Sequence, residues 1–428
     1  MSSDTTPGAL EHLLTDTVRD VIDRSAYGDW RRIAAADAVA LSFGFPDPDL
    51  FPEAGLADSV ERVLTEEGEK ALQYGGGEYT SALESFLTEQ ETDRGIDFDT
   101  HDLLVTNGAT HAIDTVCRVF LEPGDTVLVE EPTFMGALGV FWNFGVDTVG
   151  VPVDDDGLDV AELESILETR RARGTPTSKL LYTIPDFHNP TGTTLSRERR
   201  ERVLELAETY DFAVLEDGAY SDLWFEETPP PALAALDERG RVVRVGTFSK
   251  TVAPGVRLGW LTAPERVTKA ARSVAAGGSN TFTRSVVGHH CEVGRFDSLV
   301  PELRATYAER CAHMLDELDA NMPAGVTWRV PNGGFFIWLS LPEDVHTGEL
   351  LEPAMKHGVT FLPGSMFYAG DGGTNELRLS FTYVKKSEIT AGIESLAASI
   401  ESVESSTVSV ESSTESVESS TEASIEKD

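Results

Sequence analysis

From about Asp102 onward, short apolar runs alternate with stretches of helical periodicity. DLLVTN, DTVLVEEP, DTVGVPV, KLLYTIPD, FAVLEDG, VVRVGTFSK and VRLGWLTA predict strands, and GATHAIDTVCRVF and SRERRERVLELAETY predict helices between them. Strands alternating with helices imply an α/β domain on a mostly parallel sheet. After about Ala271 a long helical region leads into TWRV, GGFFIWLS and ELRLSFTYV, a pattern that predicts a second, smaller α+β domain. Upstream, the first forty residues read as amphipathic helix, and a helix is expected over about Glu53 to Glu67. Pro46, Pro48 and Pro52 forbid regular helix in LSFGFPDPDLFP, which becomes an ordered arm. The expected divisions are residues 1–55 for the N-terminal helix and arm, 56–290 for the large domain and 291–398 for the small one. The remainder, 399–428, repeats Ser, Glu, Val and Thr without an aromatic residue. It cannot bury enough apolar surface to offset its ordering entropy, so disorder is expected.

Charge changes the picture. The formal net charge is −39, and only −7 of it lies in the last thirty residues, so the folded part is itself strongly acidic. Such a field repels nucleic acid and anionic membrane surfaces, which excludes both as expected partners. Self-repulsion at this density is tolerable when molar salt shortens the Debye length to roughly 3 Å, which points to a halophilic protein. Cys117, Cys291 and Cys311 show no ligand or disulfide spacing, and a reducing, cytoplasmic setting is expected. No run approaches the ~20 apolar residues of a membrane span. Neither a metal-binding spacing nor a P-loop occurs, so no metal is expected.

The residues that can carry chemistry stand at the ends of successive strands, where ligands of open parallel sheets bind. DLLVTN ends in Gly108-Ala109-Thr110 at the start of a helix, a place that offers free N–H groups to a phosphate. KLLYTIPD runs into His188-Asn189-Pro190-Thr191-Gly192, by itself only a turn. FAVLEDGAY ends in Asp217 and Tyr220; an acid at a buried strand end needs a partner. VVRVGTFSKTVAPGVRLGW places one lysine, Lys250, beside Thr247 and Ser249, with Arg257 seven residues on. In a chain poor in lysine, that position argues against a solvated surface charge.

This ordered set resembles the class I and II aminotransferases, the fold-type I family of pyridoxal-phosphate enzymes. LSFGFPDPDLFP, QYGGGEY, NGATHAI, EEPTF, HNPTG, EDGAY, TFSKTVAPGVRLGW, PNGGFFIW, FLPGSMF and LRLSF occur in the family's order between about Leu41 and Thr382. The nearest likeness is to the branch with 2-aminoadipate and kynurenine aminotransferases. The resemblance implies that Lys250 holds pyridoxal 5′-phosphate as a Schiff base and moves a proton at the substrate Cα. It implies that Asp217 pairs with the pyridine nitrogen and that Asn189 and Tyr220 bond the phenolic oxygen. Phe134 would stack on the ring. Gly108, Ala109, Thr110, Thr247, Ser249 and Arg257 would hold the phosphate, helped by Tyr74 of the neighbouring subunit in a homodimer. Arg378 would grip the substrate carboxylate, with Gly44 and Asn189 approaching the substrate.

Two departures stand out: His188 replaces a frequent glutamine, which bears on substrate fit, and Thr247 replaces a common serine. Arg284 could read a distal carboxylate, but a surface or salt-bridging role is the better expectation. The implied reaction moves the amino group of an L-amino acid (aromatic, branched or 2-aminoadipate-type) to a 2-oxo acid such as 2-oxoglutarate. Lyase chemistry on a sulfur amino acid is the alternative on the same cofactor. Regulators of this fold carry a DNA-binding domain before the arm, for which some forty acidic-leaning residues are too few.

Overall fold

The computed structural model describes residues 10–24, 32–33 and 36–403. Fourteen strands occur among them: β1 (Val39–Ala40), β2 (His101–Thr106), β3 (Thr126–Glu131), β4 (Asp147–Asp154), β5 (Gly157–Leu158), β6 (Leu180–Thr183), β7 (Ala213–Asp217), β8 (Val242–Thr247), β9 (Gly259–Pro264), β10 (Thr327–Trp328), β11 (Phe336–Ser340), β12 (Val359–Thr360), β13 (Leu362–Pro363) and β14 (Glu376–Ser380). Eight form one sheet in the order β2-β9-β8-β7-β6-β3-β4-β5. Every residue of β6 and β8 is buried, as continuous apolar runs covered on both faces require.

Strands β3, β4, β6, β7 and β8 run parallel, whereas β9 is antiparallel to both β2 and β8. The reversal follows from chain length: the loop from Phe248 to Leu258 is too short for a crossover helix. It has a direct consequence for the site. Gly259 pairs with Thr106 on one side and Thr247 on the other, so the ends of β2 and β8 meet across a single glycine. The chain steps outward from β3 to β4 and then returns beyond β3 to β6, β7 and β8, which makes a switch point between β3 and β6.

A second sheet, β10-β11-β14-β13, is antiparallel and carries Arg378 opposite Trp338 and Leu362. The arm joins it from far away in sequence. Val39 and Ala40 pair in parallel with Val359 and Thr360, and the Ser380 N–H donates to the Leu41 carbonyl at 2.7 Å. The expected helix after the arm spans Glu53–Glu66, and the amphipathic N-terminal stretch contains the helix Asp16–Arg24. At the other end, a helix over 386–403 buries Ser399 and Ile400, so the stretch read as tail from 399 begins inside a helix. The rest of that tail lies outside the described residues.

Beneath the site the sheet holds a buried ionic network. Arg244 on β8 donates from Nε to Glu91 at 3.1 Å, from Nη1 to Glu216 at 2.7 Å and from Nη2 to Ser221 Oγ at 3.0 Å. Ser221 in turn donates to Asp186 at 2.5 Å, and Asp186 accepts from Arg200 at 2.6 Å. Buried charges persist only when so paired. The network pins the two segments that follow β6 and β7, through Asp186 and Ser221.

Candidate active site

Lys250 follows β8 by three residues and lies partly buried under the arm, where its Nζ donates to the Gly44 carbonyl at 3.0 Å. The same amine sits 5.8 Å from the Tyr220 ring and 5.5 Å from the Phe335 ring. Burial in this apolar setting, with Arg378 and Arg257 adding like charge, pushes its pKa down to about 8 against the opposing pull of Asp217. An amine whose pKa lies this close to neutrality can give up its proton readily, which is what a nucleophile and proton carrier needs.

Asp217, the last residue of β7, is buried, and burial raises its pKa. Two donors offset this: the Tyr182 hydroxyl to Oδ2 at 2.8 Å and the Ala219 N–H to Oδ1 at 3.1 Å. Tyr220 is buried, which raises its pKa, and its hydroxyl accepts from Asn189 Nδ2 at 3.5 Å.

Arg378 reaches the same place from β14. Its Nη1 donates to Asn189 Oδ1 at 2.8 Å and its Nη2 to the Ser42 carbonyl at 2.9 Å. The guanidinium lies 4.0 Å from the Phe336 ring and 4.9 Å from the Phe367 ring, and burial lowers its pKa to about 9. Its Nε is buried without a protein partner, a donor left for an anion. Gly44 is required beside it: a Cβ there would lie 2.8 Å from the Phe336 ring and 3.5 Å from Arg378 Nη2.

A second anion cradle lies where β2, β8 and β9 meet. Gly108, at φ +89°, opens the helix Ala109–Phe120, whose first N–H groups have no intrahelical acceptor. Arg257, itself left-handed at φ 50°, donates to the Asn107 carbonyl at 3.3 Å. A Cβ on Gly108 would stand 3.0 Å from the Arg257 guanidinium, and one on Gly259 would stand 2.8 Å from the Ala109 nitrogen. Thr247 donates to Ser249 Oγ at 2.9 Å and accepts from the Ser249 N–H at 3.1 Å, holding the two hydroxyls together. Guanidinium, hydroxyls and a helix N-terminus form a donor set suited to a phosphate.

Most of the sequence-predicted residues thus converge. Phe134, the residue before the helix Met135–Asn143, is partly buried against the main core. Tyr74 does not join them within one chain: it is 97% exposed. His188 does not face open space either. It is buried, with Nδ1 2.8 Å from Thr191 Oγ1 and Nε2 3.0 Å from the Glu130 carboxylate, outside hydrogen-bonding alignment. Arg284 pairs with Glu84, as a salt-bridging role predicts. Tyr182 and the Arg244 network were not anticipated. The available signal was polar side chains inside strands whose other residues are apolar.

A nucleophilic amine, a buried acid and a phosphate cradle at the strand ends of the eight-stranded sheet, faced by an arginine for a carboxylate from the second sheet, define a pyridoxal-phosphate enzyme. The chain belongs to the class I and II aminotransferases, whose family model matches residues 37–396. It is 38% identical over 369 residues to an aromatic-amino-acid aminotransferase of Thermococcus litoralis, covering 85% of this chain and 88% of that one. It is 34% identical over 363 residues to the 2-aminoadipate transaminase of Thermus thermophilus, covering 83% and 89%. Its fold superposes on the Pyrococcus horikoshii kynurenine aminotransferase, solved with PMP, with a TM-score of 0.87, 36% identity, and coverage of 92% and 98%. The protein is therefore a pyridoxal 5′-phosphate-dependent transaminase of fold type I, acting on amino acid and 2-oxo acid substrates. Among the described residues no helix is long and apolar enough to cross a membrane, and no group of side chains could hold a metal ion.

Proposed function

We propose that this transaminase takes the amino group of an aromatic, branched or 2-aminoadipate-type L-amino acid and gives it to a 2-oxo acid such as 2-oxoglutarate. The names of its relatives support the aromatic and 2-aminoadipate-type donors. The observation that carries the reading is the gathering of Lys250, Asp217, Asn189, Tyr220 and Arg378 around the ends of β6, β7 and β8 and the middle of β14.

Pyridoxal 5′-phosphate supplies, when bound, an aldehyde that accepts the amino group and a pyridine ring that takes up electrons from the substrate Cα. The chain's own residues do the rest. Gly108, Ala109, Thr110, Thr247, Ser249 and Arg257 bind the phosphate and so fix the ring's position. Phe134 covers a face of the ring. Asp217 holds a proton at the pyridine nitrogen, and Asn189 and Tyr220 bond the phenolic oxygen. Arg378 orients the substrate by its carboxylate, through the donor that no protein group occupies. Lys250 would take the proton from the substrate Cα and deliver it to C4′, the cofactor carbon that carries the transferred nitrogen, which its lowered pKa permits. Gly44 and the arm cover the reacting atoms from water.

The active unit in this reading is a homodimer, in which Tyr74 crosses to the phosphate of the other subunit; its exposure in the single chain supports that role. The divisions 1–55, 56–290 and 291–398 belong to the same reading, supported by the two separate sheets and by the pairing of β1 with β12. A net charge of −39 supports a cytoplasm rich in salt.

The test is an amino acid panel with 2-oxoglutarate. Glutamate should form with aromatic, branched or 2-aminoadipate donors, without pyruvate or sulfide. Ammonia released in the absence of any 2-oxo acid would instead favour a lyase.

A further inference from the structure

Tyr182 is the third residue of β6, in a run (Leu180, Leu181, Tyr182, Thr183) that is buried throughout. Its ring packs edge-on against Phe141 at 5.5 Å, and its hydroxyl donates to Asp217 Oδ2 at 2.8 Å. Burial would cost each group if it were unpaired, and a phenol that donates to a carboxylate favours the carboxylate's charged form.

We propose that Tyr182 is a positioning residue that keeps Asp217 ionised and aimed at the pyridine nitrogen of the cofactor. The proposal rests on the reading that Asp217 is that nitrogen's partner. Four groups oppose the burial penalty on Asp217: the Tyr182 hydroxyl first, then the Ala219 N–H, Arg244 from β8 and Lys250 from the loop beyond it. Burial first, then the charge of Asp217, and after these Glu130 on β3 and Tyr220, oppose the ionisation of Tyr182 itself, so the phenol remains a donor. Arg244 is already engaged by Glu91 and Glu216, and Lys250 by the Gly44 carbonyl. That leaves Tyr182 as the side chain that hydrogen-bonds Asp217 directly among the described residues. Donation to Oδ2 and from Ala219 to Oδ1 also fixes the plane of the carboxylate, and one lone pair on each oxygen remains to meet a ring N–H.

The direction of the effect is set by where the shared proton rests. Without the phenol, Asp217 becomes the better base and draws the proton from the ring nitrogen. A neutral ring withdraws fewer electrons, so the visible chromophore of the loaded enzyme should change protonation at higher pH.

The experiment compares wild type, Tyr182→Phe and Asp217→Asn as cofactor-loaded proteins. The absorption of the chromophore is titrated with pH, and affinities are measured for pyridoxal 5′-phosphate and for the analogue whose ring nitrogen is replaced by carbon. Tyr182→Phe keeps the ring volume, so packing is retained. Its midpoint should rise in the same direction as that of Asp217→Asn but by less. Its affinity for the natural cofactor should fall about tenfold, the cost of one hydrogen bond to a charged group. With the carbon analogue the two proteins should bind alike. An equal loss of affinity for both ligands would make Tyr182 merely structural and overturn the proposal. So would a Tyr182→Phe midpoint unchanged beside a shifted Asp217→Asn midpoint. An Asp217→Asn enzyme that titrates like wild type would remove the pairing of Asp217 with the ring nitrogen, and the proposal with it.

Discussion

Arg378 on β14 donates from Nη1 to Asn189 Oδ1 at 2.8 Å, and this hydrogen bond ties the four-stranded sheet to the loop that follows β6. It sets a carboxylate-binding group against a cofactor-binding one. Arg378→Leu would keep packing between Phe336 and Phe367 but lose the charged fork. We expect kcat/KM for the amino donor to fall about a hundredfold or more, in line with removing one member of a buried charge pair. Cofactor absorption should remain, as read by a spectrum of the loaded variant.

The lysine makes a testable cost in the cofactor-free protein. Lys250 loses its proton near 8 in the folded chain and near 10.5 when unfolded. Between those values the unfolded chain binds more protons, so stability climbs with pH; below them the penalty for burying the charge is fully present. Lys250→Met should therefore stabilise the cofactor-free protein by about 1–2 kcal/mol at pH 7, discounted for the partial exposure of the amine. The advantage should shrink as pH approaches 10.5, as followed by thermal unfolding across that range.

Beneath the site, Arg244 neutralises Glu91 and Glu216 at once. Arg244→Leu would leave the buried Glu216 carboxylate without a cation and Glu91 with Arg94 alone, at 3.4 Å. The expected loss is about 3–5 kcal/mol, seen as a lower unfolding midpoint with and without cofactor.

Sheet and site differ in how plainly the sequence announced them. Strands β2 to β4 and β6 to β9 stand out as apolar runs because a sheet covered on both faces needs them. The reversed direction of β9 was legible only through the short Phe248–Leu258 connection, and the union of β1 with β12 was not, since it joins residues more than three hundred positions apart. Lys250 and Asp217 were legible because each charge ends an apolar run, whereas Arg378 came from the resemblance that LRLSF carries. Tyr182 was missed because a tyrosine in LLYT passes for one more apolar strand residue. Arg244, in VVRVGT, did break its run; a charge there had to be paired, but its partner Glu91 lies on a helix that periodicity alone does not dock.

Tyr74 gives a test of the dimer. Although 97% exposed in one chain, it should contribute to cofactor binding, and Tyr74→Phe should weaken that binding about tenfold. In mixtures of Tyr74→Phe and Lys250→Ala subunits, each hybrid dimer holds one intact site. Activity at limiting cofactor should rise above the sum of the two variants. No gain on mixing would mean that Tyr74 serves no neighbouring site.

The central claim is that Lys250 carries the cofactor. Purified protein loaded with pyridoxal 5′-phosphate should absorb in the visible, and borohydride reduction followed by peptide mass analysis should place the cofactor's added mass on the peptide containing Lys250. The Lys250→Ala protein should lose both band and adduct. A wild type that stays colourless with added cofactor, or an adduct on any other lysine, would contradict the account.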